Sequence, residues 1–128
     1  MKSIFLLFFA VSALQGMAQK SPYRRVLIFA PDSTNSAFKE QNSALKRESA
    51  SCIERDIVIE NYVYQLENAA VFKQYQVKKG LFTVLLVGKD GFVKLRSDTA
   101  LSAQRLFSII DFMPMRRDEV KQRKKSSF

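Results

Sequence analysis

The sequence has no histidine and no tryptophan, one cysteine, four glycines and three prolines. Without histidine there is no Ser-His-Asp or Cys-His nucleophile pair, no His-ligated zinc, and no side chain whose ordinary pKa suits it to general-base work near neutrality. With Cys52 alone there is neither an internal disulfide nor a Cys-x-x-Cys pair. The few glycines form no P-loop and no Gly-x-Gly-x-x-Gly arrangement. Carboxylates remain, but Asp32, Glu40, Glu48, Asp56 and Glu60 form no pair that spacing alone brings together, and each reads as a solvated group or a cap. Nothing in the sequence calls for a metal or a cofactor.

What is present first is an address. Met1-Lys2-Ser3 precedes an apolar run from Ile4 to Leu14, and Gly16-Met17-Ala18 puts small residues at the −3 and −1 positions of a cut before Gln19. This predicts a signal peptide over residues 1–18 and an exported, periplasmic or extracellular, protein. About eleven apolar residues fall short of the roughly 20 that cross a bilayer, and no later stretch is long and apolar enough, so no transmembrane anchor is expected. Removing 18 of the 128 residues leaves 110, the size of one domain, expected over 19–114 with a basic C-terminal tail over 115–128. A chain of that length buries roughly two thirds of its surface and needs no staple.

The formal charge of +9 falls to +8 with the loss of Lys2. That balance suits anionic lipid headgroups or an anionic envelope polymer, whereas export takes the chain away from nucleic acid. It serves solubility equally well.

Arg25–Ala30 is an unbroken apolar run after its first residue, the mark of a strand covered on both faces, and Pro31 ends it. Asp32-Ser33-Thr34-Asn35-Ser36 clusters capping and turn residues before a helix expected from about Ala37 to Arg55, with Phe38, Leu45, Cys52 and Ile53 on its apolar stripe. Asp56–Val63 reads as a second strand. Asn68 is placed to cap a short helix carrying Val71, Phe72 and Tyr75 that Gly80 closes. Phe82–Val87 is a buried third strand, Gly88-Lys89-Asp90-Gly91 a tight turn, and Phe92–Arg96 an alternating partner strand. Ser102 caps a helix whose Leu106, Ile109, Ile110 and Met113 recur at helical spacing and which Pro114 stops. From Met115 to Phe128 six Lys or Arg stand against Asp118 and Glu119, predicting a frayed helix or a disordered segment.

The order β-α-β-α-β-β-α makes the first two strands parallel and the last two antiparallel, giving an α/β domain with a mixed four-stranded sheet and helices on both faces, the thioredoxin arrangement. Phe29-Ala30-Pro31-Asp32, the hairpin Thr83–Gly91 with Val93–Arg96, and Ile110–Arg117 resemble a family of small exported bacterial proteins without an assigned activity. That family is similar to the thioredoxin-like domain of the animal extracellular equarin and sushi-repeat proteins, for which oxidoreductase activity has been proposed. The resemblance covers nearly all of the chain after residue 18.

It also locates a site. In thioredoxins the first strand leads to a Cys-x-x-Cys at the next helix start, where the dipole favours a thiolate. The corresponding positions here are Ser33 and Ser36, and the position of the cis-proline before the hairpin falls at Phe82, followed by Thr83. The resemblance therefore implies a thioredoxin-like domain without its redox pair, whose Ser33, Thr34, Ser36 and Thr83 form a candidate anion site at one sheet edge. Cys52, far along the helix, reads as a core residue. Lys94 and Arg96, alternating with Val93 and Leu95, form with Arg116 and Arg117 a candidate basic surface that Lys121, Arg123, Lys124 and Lys125 extend. The expected function is a non-catalytic binding module of the cell envelope, its partner an envelope protein or an anionic polymer. The competing reading is a thiol oxidoreductase or a peroxidase-related protein inherited from the fold.

Overall fold

The computed structural model describes residues 19–127; the expected signal peptide, residues 1–18, lies outside the described residues. Four strands form one sheet: β1 (Arg24–Ala30), β2 (Ile57–Val63), β3 (Thr83–Val87) and β4 (Val93–Ser97), in the spatial order β2-β1-β3-β4. β1 runs parallel to β2 and antiparallel to β3, and β3 antiparallel to β4. The two inner strands are the two continuous apolar runs of the sequence. The edge strands carry the polar residues, because only an inner strand is covered on both faces and flanked on both sides.

Alternation along β1 divides the core. Val26 and Ile28 face a layer made by helices α1 (Ser36–Arg47), α2 (Ser49–Glu54) and α4 (Ala103–Asp111), where Leu45, Cys52, Leu106, Phe107 and Ile110 meet Val84 and Leu86. Leu27 and Phe29 face the other way, toward α3 (Ala69–Gln74), with Phe72, Val77, Leu85 and Val87. On that side Phe29 stacks on Tyr62 at 5.2 Å and meets the edge of Phe72 at 4.9 Å, the offset and T-shaped contacts that aromatic quadrupoles favour. The buried Gln41 amide ties α1 to the chain ahead of α4, donating to the Leu101 carbonyl at 2.9 Å and accepting from its N–H at 2.8 Å.

Four expectations are corrected. The long helix is two: at Glu48 the backbone leaves helical geometry (φ −112°, ψ 33°), and the Ser49 hydroxyl donates to the Lys46 carbonyl at 2.5 Å. Such a local bond competes with the helical ladder. Cys52 is buried, but Ile53, the next residue on the helix, is 72% exposed and no part of the core. Asn68 does not cap α3; it ends a 3₁₀ turn (Leu66–Asn68) in which its side chain accepts from the Gln65 N–H and donates to the Val63 carbonyl. α3 ends not at Gly80 but at Gln74, with Tyr75 its C-cap, before Gln76 takes a left-handed φ of 54°.

The fourth correction concerns the C-terminus. Pro114 does not merely stop α4; it opens α5 (Pro114–Ser126), the segment expected to fray. Met113 is extended (φ −69°, ψ 134°), as a residue before proline must be, and proline at the first helical position loses no hydrogen bond there. α5 has almost no apolar face. It is held by ions: Glu119 meets the buried Arg24 and also Lys89, at 2.6 Å, while Arg116 reaches Glu54 at 3.2 Å.

Candidate functional site

The end of β1 delivers the chain into the loop where the sequence analysis placed a site. Asp32 organises it: its Oδ1 accepts from the Thr34 N–H at 2.9 Å and from the Thr34 hydroxyl at 2.6 Å. The Thr34 bonds hold the Asp32 carboxyl below the usual carboxylate range. Asn35 is the cap of α1, its Oδ1 accepting from the Phe38 N–H at 3.0 Å. Ser33, inside this turn, and Ser36, the first residue of α1, are both exposed.

Thr83 does come to the same edge of the sheet, paired with Phe29 one residue before Ala30. It is buried, and the cavity of about 120 Å³ beside it is lined by Gln76, Lys78, Leu81, Arg96 and Asp98 rather than by Ser33, Thr34 or Ser36. The four residues thus share an edge without converging on one cavity, and the loop already holds a carboxylate on Thr34, whose N–H and hydroxyl an anion would use. No peptide bond among the described residues is cis.

Cys52 lies in the core layer under α2, 4% exposed, its Sγ 3.8 Å from the Leu45 carbonyl. Burial pushes its thiol above the ordinary cysteine value, the opposite of what a nucleophilic thiolate requires.

The basic residues separate into three groups. Lys94 turns back on the hairpin and pairs with Asp90 at 2.6 Å, and Arg96 donates to the carbonyls of Tyr75 and Gln76, capping the C-terminal end of α3. Arg116 is a correction: it is 3% exposed and no part of a surface, because its guanidinium fills the space between α2, α4 and α5, with its Nε lacking a hydrogen-bond partner and Asp111 at 3.7 Å. Arg117 is exposed, its guanidinium 5.6 Å from the centre of the Phe112 ring. Sequence reasoning passed over Phe112, which is 74% exposed at the end of α4. The signal was its helical phase, two residues beyond the buried Ile110 and off the Leu106–Ile110 stripe.

Arg117, Lys121 and Lys124 border a cleft of about 590 Å³ floored by Arg116 and rimmed by Glu54 and Asp111. Spaced at i, i+4 and i+7, the three cations share one face of α5, and they make no ion pair among the described residues.

The family model for a domain of unknown function, DUF4174, matches residues 17–119. The chain belongs to that family. The match runs from the segment before β1 through the first turns of α5, and so includes both Arg24 and its partner Glu119. No curated protein matches. Among solved structures, thioredoxin-2 of the malaria parasite, described as a component of that parasite's protein secretion machinery, superposes with a TM-score of 0.57 at 21% identity, covering 71% of this chain and 84% of its own. A second malarial protein gives 0.53 at 21% identity, covering 70% and 94%. The fold of the DUF4174 chain is thioredoxin-like. No helix among the described residues is long and apolar enough to cross a membrane.

Proposed function

We propose that this chain is a non-catalytic thioredoxin-like binding module of the bacterial cell envelope, exported by the segment ahead of Gln19 and engaging an envelope protein or an anionic polymer through its surface. The observation that carries this reading is the chemistry at the start of α1. At the positions that the thioredoxin resemblance gives to a dithiol, Ser33 and Ser36 are exposed at a turn held by Asp32, Thr34 and Asn35, and the lone thiol, Cys52, is buried in the core. A serine hydroxyl forms no disulfide, and a buried thiol with a raised pKa has neither the access nor the charge for exchange. On this reading the chain is an envelope relative of the thioredoxin-like domain of equarin and sushi-repeat proteins, with the scaffold kept and the redox pair gone.

The test is whether anything the protein does depends on its sulfur. Wild type and Cys52→Ala are compared for reduction of insulin disulfides, for turnover of hydrogen peroxide with an added thiol, and for the set of components each retains from its own envelope extract. The expected result is no turnover by either and the same retained set for both. Turnover by wild type that Cys52→Ala abolishes, or a mixed disulfide to a retained component, would establish the oxidoreductase reading instead.

A further inference from the structure

The outward face of α5 is built differently from the inward one. Inward, Arg116, Glu119 and Arg123 are committed to Glu54, Arg24, Lys89 and Asp56. Outward, the exposed Arg117, Lys121, Lys124 and Lys125 leave four positive charges on two and a half turns of helix, with Asp118 the one exposed acid among them. Beside Arg117 stands Phe112, 74% exposed. An aromatic ring that could have been buried is left in water next to a row of cations.

We infer that this face, Phe112 with Arg117, Lys121, Lys124 and Lys125, docks the protein on an anionic phospholipid surface. The inference rests on the binding-module reading above and replaces the two partner classes given there with a lipid surface. Charge complementarity brings the face to an anionic headgroup layer, where each lysine or arginine close to the surface changes affinity roughly fivefold. The cleft beneath Arg117, Lys121 and Lys124, about 590 Å³ and floored by Arg116, has room for a headgroup phosphate beside these cations. The acids at its rim, Glu54 and Asp111, are already engaged by Arg116 and Arg55. Phe112 decides between sources of negative charge. A hydrated polymer offers its ring nothing, whereas the boundary between headgroups and acyl chains offers an apolar phase at the depth an aromatic ring beside cations reaches. α5 itself stays folded onto the domain, so the contact is peripheral.

The experiment uses the chain as its host exports it, with the first residue read by mass spectrometry, and vesicles of phosphatidylcholine with or without phosphatidylglycerol. Co-sedimentation should show binding to the phosphatidylglycerol vesicles only. The Lys121→Gln/Lys124→Gln pair should weaken it roughly 25-fold, and Phe112→Ala should weaken it as well, with circular dichroism unchanged in each. Dextran sulfate, a soluble polyanion, supplies the contrast: Phe112→Ala should bind it as wild type does. Equal loss of both ligands on charge removal with no effect of Phe112→Ala on vesicles would overturn the lipid assignment and leave a polymer-binding module. Absence of vesicle binding with envelope components still retained would overturn it too, leaving the broader reading intact.

Discussion

Arg24 and Glu119, 95 positions apart, form a two-pronged pair: Nη1 donates to Oε2 at 3.2 Å and Nη2 to Oε1 at 3.1 Å. Arg24 is 1% exposed and opens β1, one of the two inner strands, so its charge sits at the floor of the sheet with Lys89 on the same carboxylate. A buried pair of this kind stabilises little beyond an apolar substitute, but losing one partner strands the other.

Glu119→Ala should therefore cost roughly 3 kcal/mol in urea unfolding, far more than neutralising an exposed acid such as Asp118. An unchanged midpoint would show that α5 is not held through this carboxylate.

Acid should act through the same pair. Burial pushes the Glu119 carboxyl up, but donation by Arg24 and Lys89 outweighs it and leaves the group below the usual range; Arg55 lowers Asp111 and Arg25 lowers Glu60 in the same direction. A carboxylate depressed in the folded state contributes stability that is complete above its unfolded pKa, about 4.3 for Glu and 3.9 for Asp, and is lost as pH falls through the folded value. Unfolding midpoints should be flat from neutrality down to about pH 5 and decline steeply below about 4. Glu119→Gln should flatten part of that decline.

Cys52 should behave as a small apolar residue. Cys52→Ala is expected to cost on the order of 1 kcal/mol and Cys52→Asp several, since the latter buries a charge among Leu45, Ile57 and Leu106. The native thiol should resist alkylation until the chain unfolds; fast native labelling would show that α2 opens.

At the first helix the cap is Asn35, not Ser36. Asn35→Ala should destabilise by about 1 kcal/mol while Ser36→Ala stays near neutral. Phosphate titrated against backbone amide shifts should leave residues 33–38 and Thr83 unmoved, because the Asp32 carboxylate already takes the Thr34 donors. Local saturable shifts there would restore the anion site that the serines suggested.

Processing is checked directly. On the proposed export, mass spectrometry of the protein isolated from its host should find Gln19, free or cyclised to pyroglutamate, as its first residue; retention of Met1 on a membrane-bound form would remove the export premise of the proposed function.

Much of the fold was legible because it is written in local patterns. The two inner strands are unbroken apolar runs, the hairpin has its glycine turn, and Ser102 caps α4 by accepting from the Arg105 N–H. What was not legible is the partnership of distant polar groups. Nothing near Gln41 announces that Leu101, 60 residues on, will need both of its amide functions. Nothing in a run of six cations separates Arg116, which the domain swallows, from Arg117, which it leaves out. The same blindness turned α5 into a tail: its apolar content is low, and the ions that fix it belong to β1, α2 and the β3–β4 turn. In the candidate loop the serines are exposed, but the acid beside them, Asp32, holds the Thr34 donors and so decides what the loop can hold.

The Arg24–Glu119 pair also orders events in time. β1 is an inner strand made well before α5, and its opening charge meets no carboxylate partner until residue 119 arrives. Until then the sheet can be assembled but not sealed at its floor. A chain stalled before α5 would leave that end unsealed, and intermediates arrested at Pro114 should be open to proteolysis at the start of β1, where Arg24 is buried in the full fold.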